Sequence, residues 1–211
     1  MRYLINNRDI SEDFGVVVQS DEGLADHLAM KDIETVDNPG QHGQEIDLTT
    51  VRYSHRTITL KCWFRSYSPV ELERSVAHFR AFLLQQQLLR LEISHKGLSL
   101  HYDAYCPNGF KVTKQWRDHK MINQFTLTLI EPQPIKRVYH CRDTVAKLSI
   151  QSDQPLQVGL GDGVVLKHVF EREIEHTYQD GVEIHHVIVA GVFAPETVIN
   201  TNMTLICSVS S

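Results

Sequence analysis

The 211-residue chain has no apolar run near the ~18 residues that a membrane-spanning helix needs, so no membrane insertion is expected. Its opening, Met-Arg-Tyr-Leu-Ile-Asn-Asn-Arg-Asp, turns polar too early for a signal peptide. The four cysteines, Cys62, Cys106, Cys141 and Cys207, form no CxxC or other tight zinc pair. Without a signal peptide, scattered buried thiols in a reducing cytoplasm are expected in preference to two disulfides. Neither sign of charge dominates. Lys and Arg number 21 against 26 Asp and Glu, a net charge of −5, which excludes a general attraction to nucleic acid or anionic membranes. Catalytic motifs are lacking as well: there is no G-x-S-x-G elbow, no H-E-x-x-H and no P-loop Lys-Ser/Thr. The chain is therefore not expected to be an enzyme, and no catalytic, cofactor-binding or metal residue is assigned.

What is present is enough for a core, with 42% hydrophobic residues in a length that suits one sizeable domain or two small ones. The pattern is mainly β. Arg56–Phe64 alternates strictly, with Ile58, Leu60, Cys62 and Phe64 on one face and Thr57, Thr59, Lys61 and Trp63 on the other. Met121–Glu131 behaves alike, and Asp13–Gln19, Leu88–Ser94 and Leu98–Ala104 are shorter candidates. Lys96-Gly97 reads as the tight turn joining the last two. One helix is expected, from about Pro69 to Gln86. Ser68 is its N-cap, Pro69 its first residue and Glu71 the capping-box acid, with a core stripe of Leu72, Val76, Phe79 and Leu83. Trp63 and Trp116 suit either a protein contact or a second buried layer.

Pro132 and Pro134 end the long strand before them and place a boundary within Glu131–Asp143. Beyond it, Lys147–Ile150, Leu156–Leu160, Val164–Val169, Glu173–His176, Glu183–Val189 and Thr204–Val209 are short strand candidates separated by turn signals. That spacing predicts a small antiparallel β-sandwich.

Twelve histidines are the unusual feature: His27, His42, His55, His78, His95, His101, His119, His140, His168, His176, His185 and His186. They spread over nearly every element, which favours surface or satisfied side chains over a gathered metal set. A pH-sensitive or metal-bridged subunit contact is the rival reading. On a strand, His185 and His186 point to opposite faces and do not easily share an ion. Glu171, Glu173 and Glu175 read as a solvated face and not as a glycosidase pair. Gly159-Leu160-Gly161-Asp162-Gly163 reads as turn glycines around an aspartate, since no helix follows to point its N-terminus at a phosphate.

The order of these elements carries a resemblance. Ile5-Asn6-Asn7-Arg8-Asp9-Ile10 and Phe14-Gly15-Val16-Val17-Val18 are followed by the polar loop Pro39–Asp47, the strand Arg56–Cys62, a Ser-led helix and the Leu88–Ala104 hairpin. In that order they resemble the N-terminal domain of the distal tail proteins of long-tailed phages, over about residues 1–135. Asn7 stands where glycine is commoner in that pattern; asparagine best tolerates left-handed geometry after glycine. Further on, Gly161-Asp162-Gly163, His176-Thr177-Tyr178 and Asp180-Gly181 resemble PKD-type β-sandwich domains, with Leu160 where an aromatic is usual.

These resemblances imply a mainly β chain, α+β in its N-terminal domain. A β-barrel-like domain with one flanking helix occupies 1–135, a linker 136–144 and a small sandwich 145–211. They imply a structural protein of a phage or prophage tail tip, forming a homo-oligomeric ring, typically of six subunits, that joins the tail tube to the baseplate. Its expected partners are itself, tail-tube and tail-tip proteins, and host-surface glycans, with no nucleic acid. Its expected location is the virion, after synthesis in the bacterial cytoplasm. The alternative is a carbohydrate-binding module whose C-terminal sandwich binds surface glycans; a metal-dependent hydrolase rests only on histidine number.

Overall fold

Strict alternation in Arg56–Phe64 becomes a strand over the same nine residues, with Ile58, Leu60, Cys62 and Phe64 buried on one face. It is the sixth of sixteen strands in the computed structural model, which describes residues 1–49, 51–84, 88–117, 120–179 and 181–209. In the first half these are β1 (Arg2–Ile5), β2 (Arg8–Asp9), β3 (Val16–Glu22), β4 (Thr35–Val36), β5 (Glu45–Ile46), β6 (Arg56–Phe64), β7 (Leu89–His95), β8 (Leu98–Ala104), β9 (Thr113–Arg117) and β10 (Lys120–Glu131). The second half holds β11 (Lys136–Cys141), β12 (Val145–Gly159), β13 (Val165–Thr177), β14 (His185–Gly191), β15 (Val198–Thr201) and β16 (Thr204–Val209). Two helices, α1 (Ile10–Phe14) and α2 (Pro69–Leu84), belong to the first half.

The first half is not a closed barrel. It is built from two four-stranded antiparallel sheets, β2-β1-β7-β8 and β3-β6-β10-β9. They meet at one corner, where Tyr105 and Ile130 exchange backbone hydrogen bonds of 2.9 Å in both directions. The Tyr3 hydroxyl also donates to Asp21 across the gap at 2.6 Å. Elsewhere the sheets are held apart by shared side chains: one cluster contains Ile5, Leu91 and Ile93 from one sheet and Leu60, Phe64 and Leu127 from the other.

Helix α2 covers this cluster with Leu72, Phe79, Phe82 and Leu83, each worth about 1.5–3 kcal/mol on burial. Val76, expected in the stripe, is half-buried and packs against the cluster, and Phe82 joins the stripe as well. The Ser68 hydroxyl accepts from the Glu71 amide at 3.2 Å. The Glu71 carboxylate reaches back one residue further than a capping box requires, to the Tyr67 amide at 2.8 Å. Gln85 and Gln86 lie outside the described residues. Trp63 is half-buried, and the Trp116 side chain is likewise outside the description.

Residues 13–14 are helical, not extended. Asp9 caps α1 by accepting from the amides of Ser11 (2.8 Å) and Glu12 (3.2 Å), and Gly15 closes it at φ 69°. The alternation expected over Asp13–Gln19 was too short to outweigh that cap, and Phe14 buries itself from the helix. Asn6 and Asn7 turn the chain between β1 and β2 at φ 50° and 63°, the geometry that asparagine tolerates. Lys96 and Gly97 both take positive φ in the β7–β8 hairpin, as expected.

Residues 136–144, expected to be a linker, contain a strand instead. Strand β11 pairs with both β14 and β16 inside the six-stranded second sheet system, β13-β12-β14-β11-β16 with β15 beside β12. The prolines end β10 but leave only a short connection before Lys136. The separate segments expected at Lys147–Ile150 and Leu156–Leu160 are one strand, β12, interrupted at residues 152–155 where its pairing with β13 shifts register. Before the interruption β12 also pairs with β15, and after it with β14. A bulge on β13, with His168 at φ 56°, answers the bend. The hairpin β12–β13 thereby wraps a second core that includes Leu148, Ile150, Leu156, Val158, Val187 and Val189.

All four cysteines are free thiols; Cys62 and Cys141 are buried, Cys106 and Cys207 half-buried. Burial pushes the Cys62 thiol up to about 12, so it is inert at neutral pH.

The α1 cap gives a pH-dependent prediction. Burial raises the Asp9 carboxyl, but Arg2 and the two amides outweigh it and hold the group below its ordinary 3.8. Its stabilisation is therefore complete above that value and lost as pH falls through the lower folded-state pKa. Asp9→Ala should cost about 1 kcal/mol at pH 7 in urea unfolding, with the difference from wild type shrinking below about pH 4.

Candidate functional site

Alternation in the β7–β8 hairpin puts Leu89, Leu91, Ile93, Tyr102 and Ala104 into the first core. The opposite face carries two cross-strand pairs, Arg90 with Asp103 and Glu92 with His101. Such a face is ordinarily solvated, yet Arg90, His101 and Asp103 are all buried. The second half covers them. Strand β14 is buried on both faces: Val187 and Val189 enter the second core, whereas Ile188 and Ala190 face a separate small cluster with Val138 of β11. His186 shares that second face by its period of two.

Arg90 sits at the centre of the contact. Its guanidinium grips both carboxylate oxygens of Asp103, with Nη2 at 3.2 Å from Oδ2. It also donates to the backbone carbonyls of His186 on β14 and of Gly159 on β12, the latter at 3.4 Å. Gly159 leaves room for the ion pair: a Cβ there would stand 2.6 Å from Asp103 Oδ2 and 2.9 Å from Arg90 Nη2, and both groups would have to shift. Gly161 likewise packs against the His186 carbonyl, where a Cβ would approach to 2.9 Å at φ +97°. Of the Gly-rich run, then, only Gly161-Asp162-Gly163 is turn. Asp162 there accepts from the Val164 amide at 3.1 Å and contacts His176 Nε2 at 2.6 Å, while the Tyr178 hydroxyl donates to Leu160 O at 2.7 Å.

A second charged group continues the junction. Lys136 Nζ donates to the His101 carbonyl at 2.5 Å and to Glu131 Oε1. Arg56 Nε reaches the other Glu131 oxygen at 3.1 Å, and Arg56 Nη1 donates to Leu24 O at 2.8 Å. Burial raises the Glu131 carboxyl and lowers the Lys136 ammonium, each shift opposed by the other's charge. The Tyr102 ring lies under Lys136 at 4.2 Å and its hydroxyl donates to Leu24 O at 2.9 Å. Exposed pairs such as Lys61–Glu22 add little beside these, since water screens them.

The histidines do gather, contrary to the expectation from their spacing. The rings of His101 and His186 lie 3.8 Å apart between centroids, and His140 stacks on His186 at 5.4 Å and 12°. Burial, then the neighbouring His186, Arg90 and Lys136, pushes His101 down to about 2. Burial, then His140 and Arg90, takes His186 to about 4. Both are neutral imidazoles at pH 7. His185, as its position predicts, turns the other way and stacks on Tyr178 at 3.6 Å. Glu171, Glu173 and Glu175 lie exposed along β13, a solvated face. His119 lies outside the described residues.

The other candidate surface is an arm. Between Gly23 and Arg56 the chain leaves the first core as a thin antiparallel ribbon, joined at Met30–Tyr53 and at β4–β5. Four of its apolar side chains are uncovered: Met30 and Val36 are 50% exposed, Ile46 49% and Leu48 60%. Gly23 permits the departure, because a Cβ would meet the Thr57 carbonyl oxygen at 2.0 Å. No helix among the described residues is long and apolar enough to cross a membrane.

No family model and no curated protein sequence matches the chain. A solved structure does. It is the Dit (gp 19.1) protein of SPP1, described as a paradigm of the hub adsorption apparatus in phages that infect Gram-positive bacteria. The two are 14% identical with a TM-score of 0.52, over 94% of this chain and 98% of that one. What they share is a fold. The coverage takes in both halves of the chain.

Truncating Arg90 leaves a buried Asp103 carboxylate without its cation. Arg90→Ala should lower the unfolding free energy by about 3–5 kcal/mol, and R90L combined with D103L by much less. Urea denaturation at pH 7 measures both. Equal losses in the two variants would show that the pair's charge is not what the junction needs.

Proposed function

We propose that the chain is a non-enzymatic structural subunit of a phage or prophage tail tip. Copies of it form a ring that joins the tail tube to the baseplate or host-recognition device. The observation that carries this reading is the fold similarity to SPP1 Dit over nearly the whole of both chains. It agrees with the order of elements from Ile5 to Ala104, which resembles distal tail proteins.

The physical features support assembly. A two-stranded ribbon without a core of its own is marginal in water, so an arm exposing Met30, Val36, Ile46 and Leu48 gains most by lying on a neighbour. Edge strand β16 presents Leu205 and Ile206, 49% and 43% exposed, beside unpaired backbone groups. An arm that docks on a different surface of the next copy makes a heterologous contact, which closes into a ring when the rotation fits. In this reading residues 1–135 form the ring. The second half, PKD-like in its turn motif, stands outside it and meets other tail-tip proteins in the virion.

The second reading is glycan binding by the second half. Phe170, 45% exposed beside the exposed Lys167, Glu171 and Arg172 of the same strand, is the kind of side chain on which a sugar ring stacks.

Native mass spectrometry of the full chain at tens of micromolar tests the first reading. A six-subunit ring of the 24.2 kDa chain has a mass of about 145 kDa. Ile46→Asp with Leu48→Asp should shift the population to monomer while leaving the circular dichroism unchanged. A strictly monomeric wild type, even with tail-tube and tail-tip proteins added, would sink the ring. Glycan-array binding abolished by Phe170→Ala would favour the second reading.

A further inference from the structure

We propose that Glu92, His101 and His186 form a binding site for one divalent transition-metal ion of the zinc class, clamping the two halves of the chain together. This goes beyond the tail-tip reading and does not depend on it. Among the described residues this trio has its potential ligand atoms within 4.8 Å of one another. Glu92 and His101 are cross-strand neighbours on β7 and β8, and His186 comes from β14 of the other half.

Three observations point to an ion and not to a plain hydrogen-bonded cluster. The first is spacing. His101 Nε2 lies 3.7 Å and His186 Nδ1 3.9 Å from the same oxygen, Glu92 Oε2. Both separations are too long for a hydrogen bond. Two ligands about 2.1 Å from a common ion stand about 3.4 Å apart in a tetrahedron, so a modest inward movement completes the set. The second is an orphan. His101 Nε2 is buried, has no hydrogen-bond partner, and belongs to a side chain only 1% exposed. A buried ring nitrogen without a partner is costly unless something accepts its lone pair. The third is ligand chemistry. Two neutral imidazoles and a carboxylate are the donor set of three-ligand zinc sites, which leave a further position for water.

Surrounding charge permits a cation. Arg90 and Lys136 stand nearby, but Asp103 and Glu131 already pair with them. The Lys136 contact to the His101 carbonyl fixes the backbone from which the first ring projects, and the stacking of His140 on His186 supports the second ring. Glu92 and His186 are each 18% exposed at the side chain, which provides a way in.

The test uses the full chain without a histidine tag, stripped with chelator and titrated with Zn²⁺ by calorimetry and with Co²⁺ by visible absorption. One ion per chain is expected. Its cobalt spectrum should have the intensity of a four-coordinate nitrogen and oxygen site without thiolate charge-transfer bands, and saturating Zn²⁺ should raise the melting temperature. Glu92→Gln and His186→Gln should each weaken binding about tenfold or more and remove the thermal shift. His176→Gln, beside Asp162 in the other His–carboxylate contact, should change neither. Two variants at partly exposed positions guard against loss of fold, which circular dichroism checks. The proposal is overturned by no saturable binding at about 100 µM metal, by thiolate bands, or by affinity unchanged in both variants.

Discussion

The guanidinium of Arg90 is the point on which the arrangement of this molecule depends. It joins Asp103 on its own sheet to the backbones of β12 and β14 on the other, through groups that are buried or, at His186, half-buried. A charge taken out of water must have partners for nearly all of its donors. Arginine suits the position because its planar fork holds a carboxylate with one edge and still offers donors to carbonyls. The demand propagates outward. A Cβ at position 159 would displace the ion pair, and the neighbouring Lys136–Glu131–Arg56 chain carries the same polar seam to the base of the arm. A junction of this kind adds less net stability than an apolar one of equal size. It sets orientation, because the hydrogen bonds exist in one placement of the two sheets only.

The second half is shaped by a different constraint. A strand of fifteen residues cannot stay flat while its two ends pair with different neighbours. The interruption at residues 152–155 resolves this: Pro155 has no amide to give, and the extra residues let β12 bend out of one layer and into the next. One hairpin thus wraps a core, and its later segment brings Gly159 under Arg90. The bend and the junction are one arrangement seen from two sides.

Much of this was legible in the chain. The period of two located β6 and most of β10, short runs between turn signals located β8, β16 and most of β7, and Ser68-Pro69 located the start of α2, because those signals are local. The junction was not legible for a physical reason. Arg90, Glu92, His101 and Asp103 occupy the polar face of an alternating hairpin, and alternation reads such a face as solvated. What buries them lies beyond the two prolines, on Lys136 of a strand that was expected to be a linker and on Gly159 and His186 of strands expected in a separate sandwich. The histidines failed in the same way: His101, His140 and His186 lie on three strands, so no spacing along the chain betrays that they meet. Closed barrel geometry was out of reach as well, since alternation specifies which face is buried but not whether the last strand returns to the first.

The contrast between junction and arm bears on how such a subunit works. The molecule commits its buried charges to fixing one half against the other, and leaves a ribbon with four exposed apolar side chains a few residues away. Arg56 ties the two: its guanidinium binds Glu131 of the seam and the carbonyls of Gly23 and Leu24, where the ribbon departs. On the tail-tip reading, the direction in which the ribbon leaves is therefore set by the same polar network that orients the second half. Adding or removing charge in that seam would then change the angle at which one copy meets the next, and ring closure tolerates little error in that angle. On the same reading, a fixed junction beside an uncovered arm meets what a closing ring requires of each of its identical parts.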